Sequence, residues 1–321
     1  MTSSHSIRLG TRGSQLALYQ AHTVARLLDA AGGPTCEIVI IKTSGDRLQE
    51  APLSEAGGKR LFVKEIEDAL LNREIDLAVH SSKDMPAVLP DGLAIAGVLP
   101  REDPHDAVVL PQGNQGAVAN VEDLREMLGT APSIGTSSVR RVAQLTRLFP
   151  GAKFSPIRGN LDTRLRKLDA GDNAALVLAA AGLRRLGFQS RISWRLPATL
   201  CVPAPGQGII AIEVRQNDAA VRSAVSAITD AAAWAALITE RAVVEALGGG
   251  CQTPIGALAS PDGANGLDLL ATVIALDGSR AVYASARGTR DEAAALGKHV
   301  AAQLLAEGAG EILEDVRGSQ R

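Results

Sequence analysis

A single thiol, Cys251, sits in the segment Gly248-Gly249-Gly250-Cys251-Gln252-Thr253-Pro254-Ile255-Gly256, directly after a long apolar helical pattern. Glycine has no side chain to obstruct approach, so a thiol on such a loop is a candidate covalent anchor for a large group. The plainer alternative is an inert, small hydrophobe between a helix and a strand. A second signal recurs where strands give way to helices: a Ser, Thr or Gly beside an Arg. It appears as Thr11-Arg12-Gly13-Ser14, as Gly135-Thr136-Ser137-Ser138-Val139-Arg140-Arg141, and as Arg158-Gly159-Asn160-Leu161-Asp162-Thr163-Arg164. Helix amino termini offer unpaired N–H groups and partial positive charge, and Arg adds a planar fork matched to carboxylate or phosphate. One such segment is an ordinary N-cap with a solvated Arg. Three together point to a polyanionic ligand. Neither a phosphate loop nor a dinucleotide glycine fingerprint is present, so the cations are side chains and several carboxylates suit them at least as well as phosphates.

A third segment, His80-Ser81-Ser82-Lys83-Asp84-Met85-Pro86, follows an expected strand over Ile75 to Val79. In open α/β sheets ligands bind beyond the carboxyl ends of strands, which places this loop at the same crevice as the arginines. Lys83 and Asp84 could be an exposed ion pair. Alternatively, Asp84 in a partly dry cleft holds a developing cation and moves protons. His80 resembles a catalytic base, but no Ser or Cys nucleophile is tied to it by sequence, and a structural role suits it better.

The elements that must position these groups follow from patterning. The 321 residues carry 33 Lys plus Arg against 35 Asp plus Glu, a net charge of -2, with 46% hydrophobic residues. That describes a globular chain of two or three domains with no whole-molecule attraction to nucleic acid or membrane. Three scattered cysteines, Cys36, Cys201 and Cys251, fit neither a disulfide framework nor a zinc site and suit a reducing compartment. No metal site is expected. With no run of about 18 apolar residues and no signal peptide at Met1 to Gly13, a cytoplasmic location is expected.

The first two hundred residues alternate β-branched runs with amphipathic stretches, the pattern of α/β layers on a mainly parallel sheet. Ser14 begins a helix that Gly32-Gly33-Pro34 stops, and Phe62 to Asn72 reads as another helix. Crossings at Leu99 to Pro104 and Ser190 to Leu200 separate two such units, with strand-like Thr199 to Val202 and Ile209 to Val214 following. A chain that leaves one domain, builds a second and returns has its hinge at the paired crossings. The expected organisation is an α/β domain from residues 1–99 and 200–218, a second α/β domain from 100–199, and a small α+β domain from 219–321. A final helix is expected from Asp291 to about Glu307, with a frayed tail from Asp315 to Arg321.

The order of these segments resembles the porphobilinogen deaminase, or hydroxymethylbilane synthase, family over nearly the whole chain. The matching stretches are Leu9 to Ala17, Val79 to Pro86, Gly135 to Arg141, Arg158 to Arg164, Ala180 to Leu186, Pro205-Gly206-Gln207-Gly208 and Gly249 to Gly256. The resemblance implies two periplasmic-binding-protein-like α/β domains with a hinge plus a small α+β domain. It implies a monomer that joins four porphobilinogen molecules head to tail on a covalent dipyrromethane cofactor, with loss of ammonia, and no nucleic-acid or membrane partner. By similarity the dipyrromethane is attached at Cys251 and bound by Lys83, Ser138, Arg140, Arg141, Arg164 and Arg185, while Arg12, Ser14 and Arg158 bind substrate. Asp84 matches the catalytic aspartate, and Lys59 and Phe62 match a lid or its support. The segment Gly57 to Glu65 departs from the family in having Arg60 where many members carry a small residue, and the loop from about Asp46 to Gly58 is expected to act as a lid. Without the resemblance, the same pattern also suits a two-lobed carboxylate-binding module that performs no catalysis, or a thiol hydrolase whose His partner is unidentified.

Overall fold

A computed structural model describes residues 6–47, 62–113, 118–250 and 252–319. In chain order the first lobe contains β1 (Ile7–Thr11), α1 (Gln15–Ala30), β2 (Cys36–Ile40), the short α2 (Ser44–Arg47), α3 (Lys64–Leu71), β3 (Leu77–Ser81) and β4 (Leu93–Val98). The chain then crosses to a second lobe of β5 (Asp106–Val109), α4 (Val121–Leu128), β6 (Ser133–Gly135), α5 (Val139–Leu148), β7 (Lys153–Ser155), α6 (Leu161–Asp169), β8 (Ala175–Ala179), α7 (Ala180–Arg185) and β9 (Trp194–Arg195). It returns through β10 (Ile210–Arg215) and α8 (Ala219–Ser226). The rest is α9 (Ala231–Ala246), β11 (Ile255–Asp262), β12 (Gly266–Ile274), β13 (Ala281–Thr289), α10 (Ala293–Ala306) and α11 (Ala309–Ser319).

Among the described residues the strands form three sheets, ordered β2-β1-β3-β10-β4, β7-β6-β8-β5-β9 and β11-β12-β13. The first two repeat one plan. Three parallel strands are followed by an antiparallel one that belongs to a crossing, β10 in lobe 1 and β5 in lobe 2. Four of the five strands in each sheet run the same way, as a mainly parallel pattern predicts, and one is reversed because each lobe takes in the strand that joins it to the other. Both crossings meet where parallel strands end, which is where an open sheet leaves a crevice.

Strand pleating divides each sheet between two cores. In lobe 1, Leu77 and Val79 face Leu28 and Val24 of α1 and Val225 of α8, while Ala78 faces Ile66 and Leu70 of α3. Helix α8 thus packs on lobe 1, although the change of pattern near Ala219 marks it as the start of the third domain. Helix α9 is apolar on two sides. Ala235, Val243 and Leu247 pack on the third sheet, and Ala233, Trp234 and Leu237 pack with Met85, Val98 and Ile209 of lobe 1.

Several sequence expectations shift. Strand β3 begins two residues late because Glu74 and Ile75 N–H groups still bond back to Ala69 O at the end of α3. His80 and Ser81 consequently belong to the strand. Thr199 to Val202 forms no strand: Leu200 and Cys201 N–H both donate to Pro197 O, closing a tight turn. The tail beyond Asp315 is helical to Ser319, since Ala309, Ile312, Leu313 and Val316 are spaced on one helical face and buried. A window starting at Asp315 hides that spacing. Among the described residues no single helix is long and apolar enough to cross a membrane.

Candidate active site

Two of the three helix starts carry a side-chain cap, and the third, Asn160 before α6, does not. Ser14 Oγ accepts from Ala17 N–H at 3.3 Å at the start of α1, and Ser138 Oγ accepts from Arg141 N–H at 3.4 Å at the start of α5. Both helices aim their amino termini at one cleft between the lobes. A cavity of about 350 Å³ there is lined by Arg12, Ser14, Phe62, Lys83, Asp84, Arg141, Arg158 and Arg164. A smaller cavity of about 90 Å³ adjoins lobe 1, α5 and the third domain, lined by Ser82, Lys83, Ser138, Arg140, Arg241, Gly250 and Thr253. Lys83 borders both.

The guanidiniums are held in different ways. Arg12 pairs with Asp46, Nη2 to Oδ1 at 2.5 Å, and lies over the Phe62 ring at 4.4 Å. Burial would raise the Asp46 carboxyl, but Arg12 keeps it below its ordinary value. Arg140 and Arg141 share the buried Asp106 at the start of β5, Arg140 Nη1 lying 2.7 Å from Oδ2 and Arg141 Nη2 2.7 Å from Oδ1. Burial alone would raise Asp106 too, yet the two guanidiniums force it far below the carboxylate range. Arg141 also donates to Val177 O at 2.9 Å and Arg140 to Val202 O at 2.7 Å. Cys201 donates its thiol proton to Asp106 Oδ2 at 3.3 Å, and burial together with that carboxylate pushes the thiol up to about 12. Cys201 is therefore a protonated structural group.

Lys83 and Asp84 occupy a single 3-10 turn, Ser82–Asp84, straight after β3. Burial, then Arg141, lowers Lys83 to about 8, against the opposing pull of Asp84 and Asp106. Arg164 donates from Nε to Gly159 O at 2.8 Å and is lowered by burial and by Arg141. Arg185 lines neither cavity; it donates from Nη2 to Gly208 O at 2.7 Å and is buried enough to be lowered. His80 is buried inside β3 with Nε2 3.1 Å from Glu213 Oε2 on β10, away from solvent and paired. Cys251 and Lys59 lie outside the described residues. The neighbours Gly250 and Thr253 border the smaller cavity, with Thr253 N–H donating to Gly250 O at 3.0 Å.

Sequence reasoning did not find Asp106 or Gln207, the two groups on which the cations converge. One signal was available for the first: an acidic residue heading the apolar run Ala107-Val108-Val109-Leu110, all buried, needs a cationic partner in the fold.

The donor set suits a carboxylate-bearing group. The smaller cavity presents Lys83, Ser138 and Arg140 beside the glycine loop, and Arg140 Nε is buried without a hydrogen-bond partner among the described residues. The larger cavity adds four more arginines and two carboxylates, Asp46 paired with Arg12 and Asp84 on the turn after β3, so it can hold several anionic groups and stabilise a positive centre.

The family model for porphobilinogen deaminase, dipyromethane cofactor binding domain, matches residues 7–223, and the model for the porphobilinogen deaminase C-terminal domain matches residues 234–306. The chain is similar to a porphobilinogen deaminase from Acidithiobacillus ferrooxidans, 45% identical over 98% of this chain and 99% of that protein. It is also similar to one from Bordetella bronchiseptica, 46% identical over 98% of each chain. Among solved structures it is similar to immunogenic lipoprotein A from Vibrio vulnificus, with 15% identity, 71% of this chain and 96% of that chain covered, and a TM-score of 0.43. On the two family models and the near full-length relatives, the chain belongs to the porphobilinogen deaminase family.

Proposed function

We propose that this chain is a hydroxymethylbilane synthase: it joins four porphobilinogen molecules head to tail, releases ammonia at each addition, and frees a linear tetrapyrrole. The observation that carries the reading is the convergence of Arg12, Arg141, Arg158, Arg164 and Lys83 on one cavity with two carboxylates, Asp46, which is tied to Arg12, and Asp84 at a strand end. Each pyrrole unit brings an acetate and a propionate, and a growing chain of such units needs a row of fixed cations. When bound through Cys251, the dipyrromethane supplies the first nucleophilic pyrrole carbon.

The residues divide the work. Lys83, Ser138, Arg140, Arg141 and Arg164 hold the carboxylates of the primer, while Arg12, Ser14 and Arg158 orient those of the incoming monomer, with Phe62 stacked on Arg12 as support. Arg185 acts through Gly208 in the second crossing rather than by lining either cavity. Lys59, in the segment leading to Phe62, is assigned by family resemblance to a lid or its support. Asp84 accepts a hydrogen bond from the monomer's pyrrole N–H and stabilises the positive charge that develops as ammonia leaves. It then accepts the proton released when aromaticity returns. In this scheme residues 1–99 with 200–218 carry the acid, 100–199 carry the arginine cluster, and 219–321 carry the tether. A cytoplasmic monomer, without nucleic-acid or membrane partners, completes the reading; light scattering on the purified protein tests its oligomeric state.

Intact mass before and after denaturation is the decisive measurement. A retained dipyrrole adduct that disappears in Cys251→Ser, together with ammonia release from porphobilinogen, is expected. A wild-type chain with no adduct and no turnover, yet with affinity for dicarboxylates, would favour the two-lobed binding module instead.

A further inference from the structure

Gln207 lies in the second crossing between Gly206 and Gly208, whose φ angles are 74° and 87°. A Cβ on Gly206 would fall 2.5 Å from Ser82 Oγ, and one on Gly208 would fall 2.3 Å from Glu102 O. The crossing is thus pressed between the Asp84 turn of lobe 1 and the first crossing, and only glycine fits either side of it. The glutamine side chain is 1% exposed. Its Nε2 donates to Pro104 O at 2.6 Å and to Asp106 Oδ1 at 2.9 Å. Both partners are pure acceptors, so the nitrogen end of the amide must face them and Oε1 must face away. On that side Lys83 Nζ from lobe 1 donates at 3.4 Å and Arg141 Nη2 from lobe 2 donates at 3.5 Å. The backbone is fixed as well, since Arg101 Nε donates to Gln207 O at 2.9 Å.

Two like charges from opposite lobes therefore meet one neutral oxygen, whose orientation the first crossing and β5 dictate. Each bond engages one donor of its cation, Lys83 Nζ and Arg141 Nη2, at the outer range of hydrogen-bond length. We propose that Gln207 is a positioning residue: its amide oxygen sets the spacing of Lys83 and Arg141 across the cleft so that both meet the same anionic group of the ligand. This rests on reading the cleft as a site for carboxylate-bearing pyrroles and adds to it the part that registers the two lobes against each other. Lys83 is faced by Arg140 and Arg141 on α5, by Asp106 on β5 and by its neighbour Asp84. A change of polarity at Gln207 acts within that group.

The test compares Gln207→Leu with Gln207→Glu in the full-length, adduct-bearing protein, using kcat/KM for porphobilinogen against pH. Wild type should lose kcat/KM as pH rises through about 8, where Lys83 loses its charge. Removing the oxygen leaves Lys83 less supported beside Arg141 and moves this limb to lower pH, whereas a carboxylate at the same place moves it higher, each by about one unit, or tenfold in proton affinity. Gln207→Leu should also raise KM roughly tenfold while kcat changes little, the mark of lost binding common to ground and transition states. A merely structural role would lower activity in both variants without separating their limbs. Limbs that coincide or move the same way overturn the proposal, as does an unchanged KM in Gln207→Leu if Gln207→Glu fails to fold. A wild type lacking both adduct and turnover would sink the functional reading itself, a result read before either variant is made.

Discussion

The two lobes repeat one strand order but anchor their cations by opposite means. In lobe 1, Arg12 and Asp46 pair near the rim, their side chains 25% and 23% exposed, and each remains in contact with water. In lobe 2, Arg140 and Arg141 divide one carboxylate that is wholly buried at the head of the crossing strand, their side chains 4% and 9% exposed. The third strand differs as well. Strand β3 ends in the turn that presents Lys83 and Asp84, whereas β8 runs directly into α7. One topology therefore provides an adaptable rim with an acid on one side and a rigid cationic wall on the other.

The largest effect tests the acid. Asp84→Asn should keep the fold and the adduct while turnover falls by about two orders of magnitude or more, as for removal of a group that handles both charge and proton. A near-normal rate would remove the asymmetry between the lobes. Next comes the wall. Asp106→Asn strips the shared charge from two buried guanidiniums and should cost about 3–5 kcal/mol in urea unfolding, whereas Asp46→Asn should cost no more than about 1 kcal/mol. Equal losses would break the distinction between rim and wall.

Acid titration sharpens the same contrast. A carboxyl whose folded value is depressed contributes stability that is present above its unfolded value and lost as pH falls through the folded one. Both Asp46 and Asp106 are lowered, Asp106 much further. The Asp106 contribution should persist to more acidic pH than that of Asp46, so pH-dependent unfolding of Asp106→Asn should diverge from wild type well into the acid range. For Lys83 the sign is reversed: its charge is present below about 8 and lost above it. Affinity for a pyrrole dicarboxylate should fall across that pH, and Lys83→Arg should carry the affinity beyond it; a flat calorimetric titration of wild type across pH 8 would refute this. The smallest effect concerns the caps. Ser14→Ala and Ser138→Ala should each lower stability by about 1 kcal/mol by losing one hydrogen bond to a helix amino terminus.

Much of this arrangement was legible residue by residue. The N-caps Ser14 and Ser138 mark their helices because a hydroxyl before an apolar period has a local partner, the N–H three residues on. The gathering of Arg12, Arg141, Arg158 and Arg164 on one cavity was legible for the same local reason, since each belongs to a segment at a helix start. Asp106, Gln207 and Asp46 were not, because each acts on a partner remote in sequence: Asp106 bonds across 101 positions to Gln207, and Asp46 across 34 to Arg12. The one reversed strand in each sheet was hidden for a related reason, since strand direction in β5 and β10 is decided by which lobe the chain has just left. A structural role was legible for His80, but its buried partner Glu213 was not, because that partner comes into reach only when β10 lies beside β3.

Helix α9 joins two of these regions. Trp234 and Leu237 share a core with Met85, the residue after Asp84, and the same helix ends where the Gly248-Gly249-Gly250 run begins. The acidic turn and the root of the thiol's loop are therefore mounted on one chassis. A swing of the second lobe about the crossings would widen the room available to a lengthening oligomer without changing the gauge between its anchorage and its growing end's workplace.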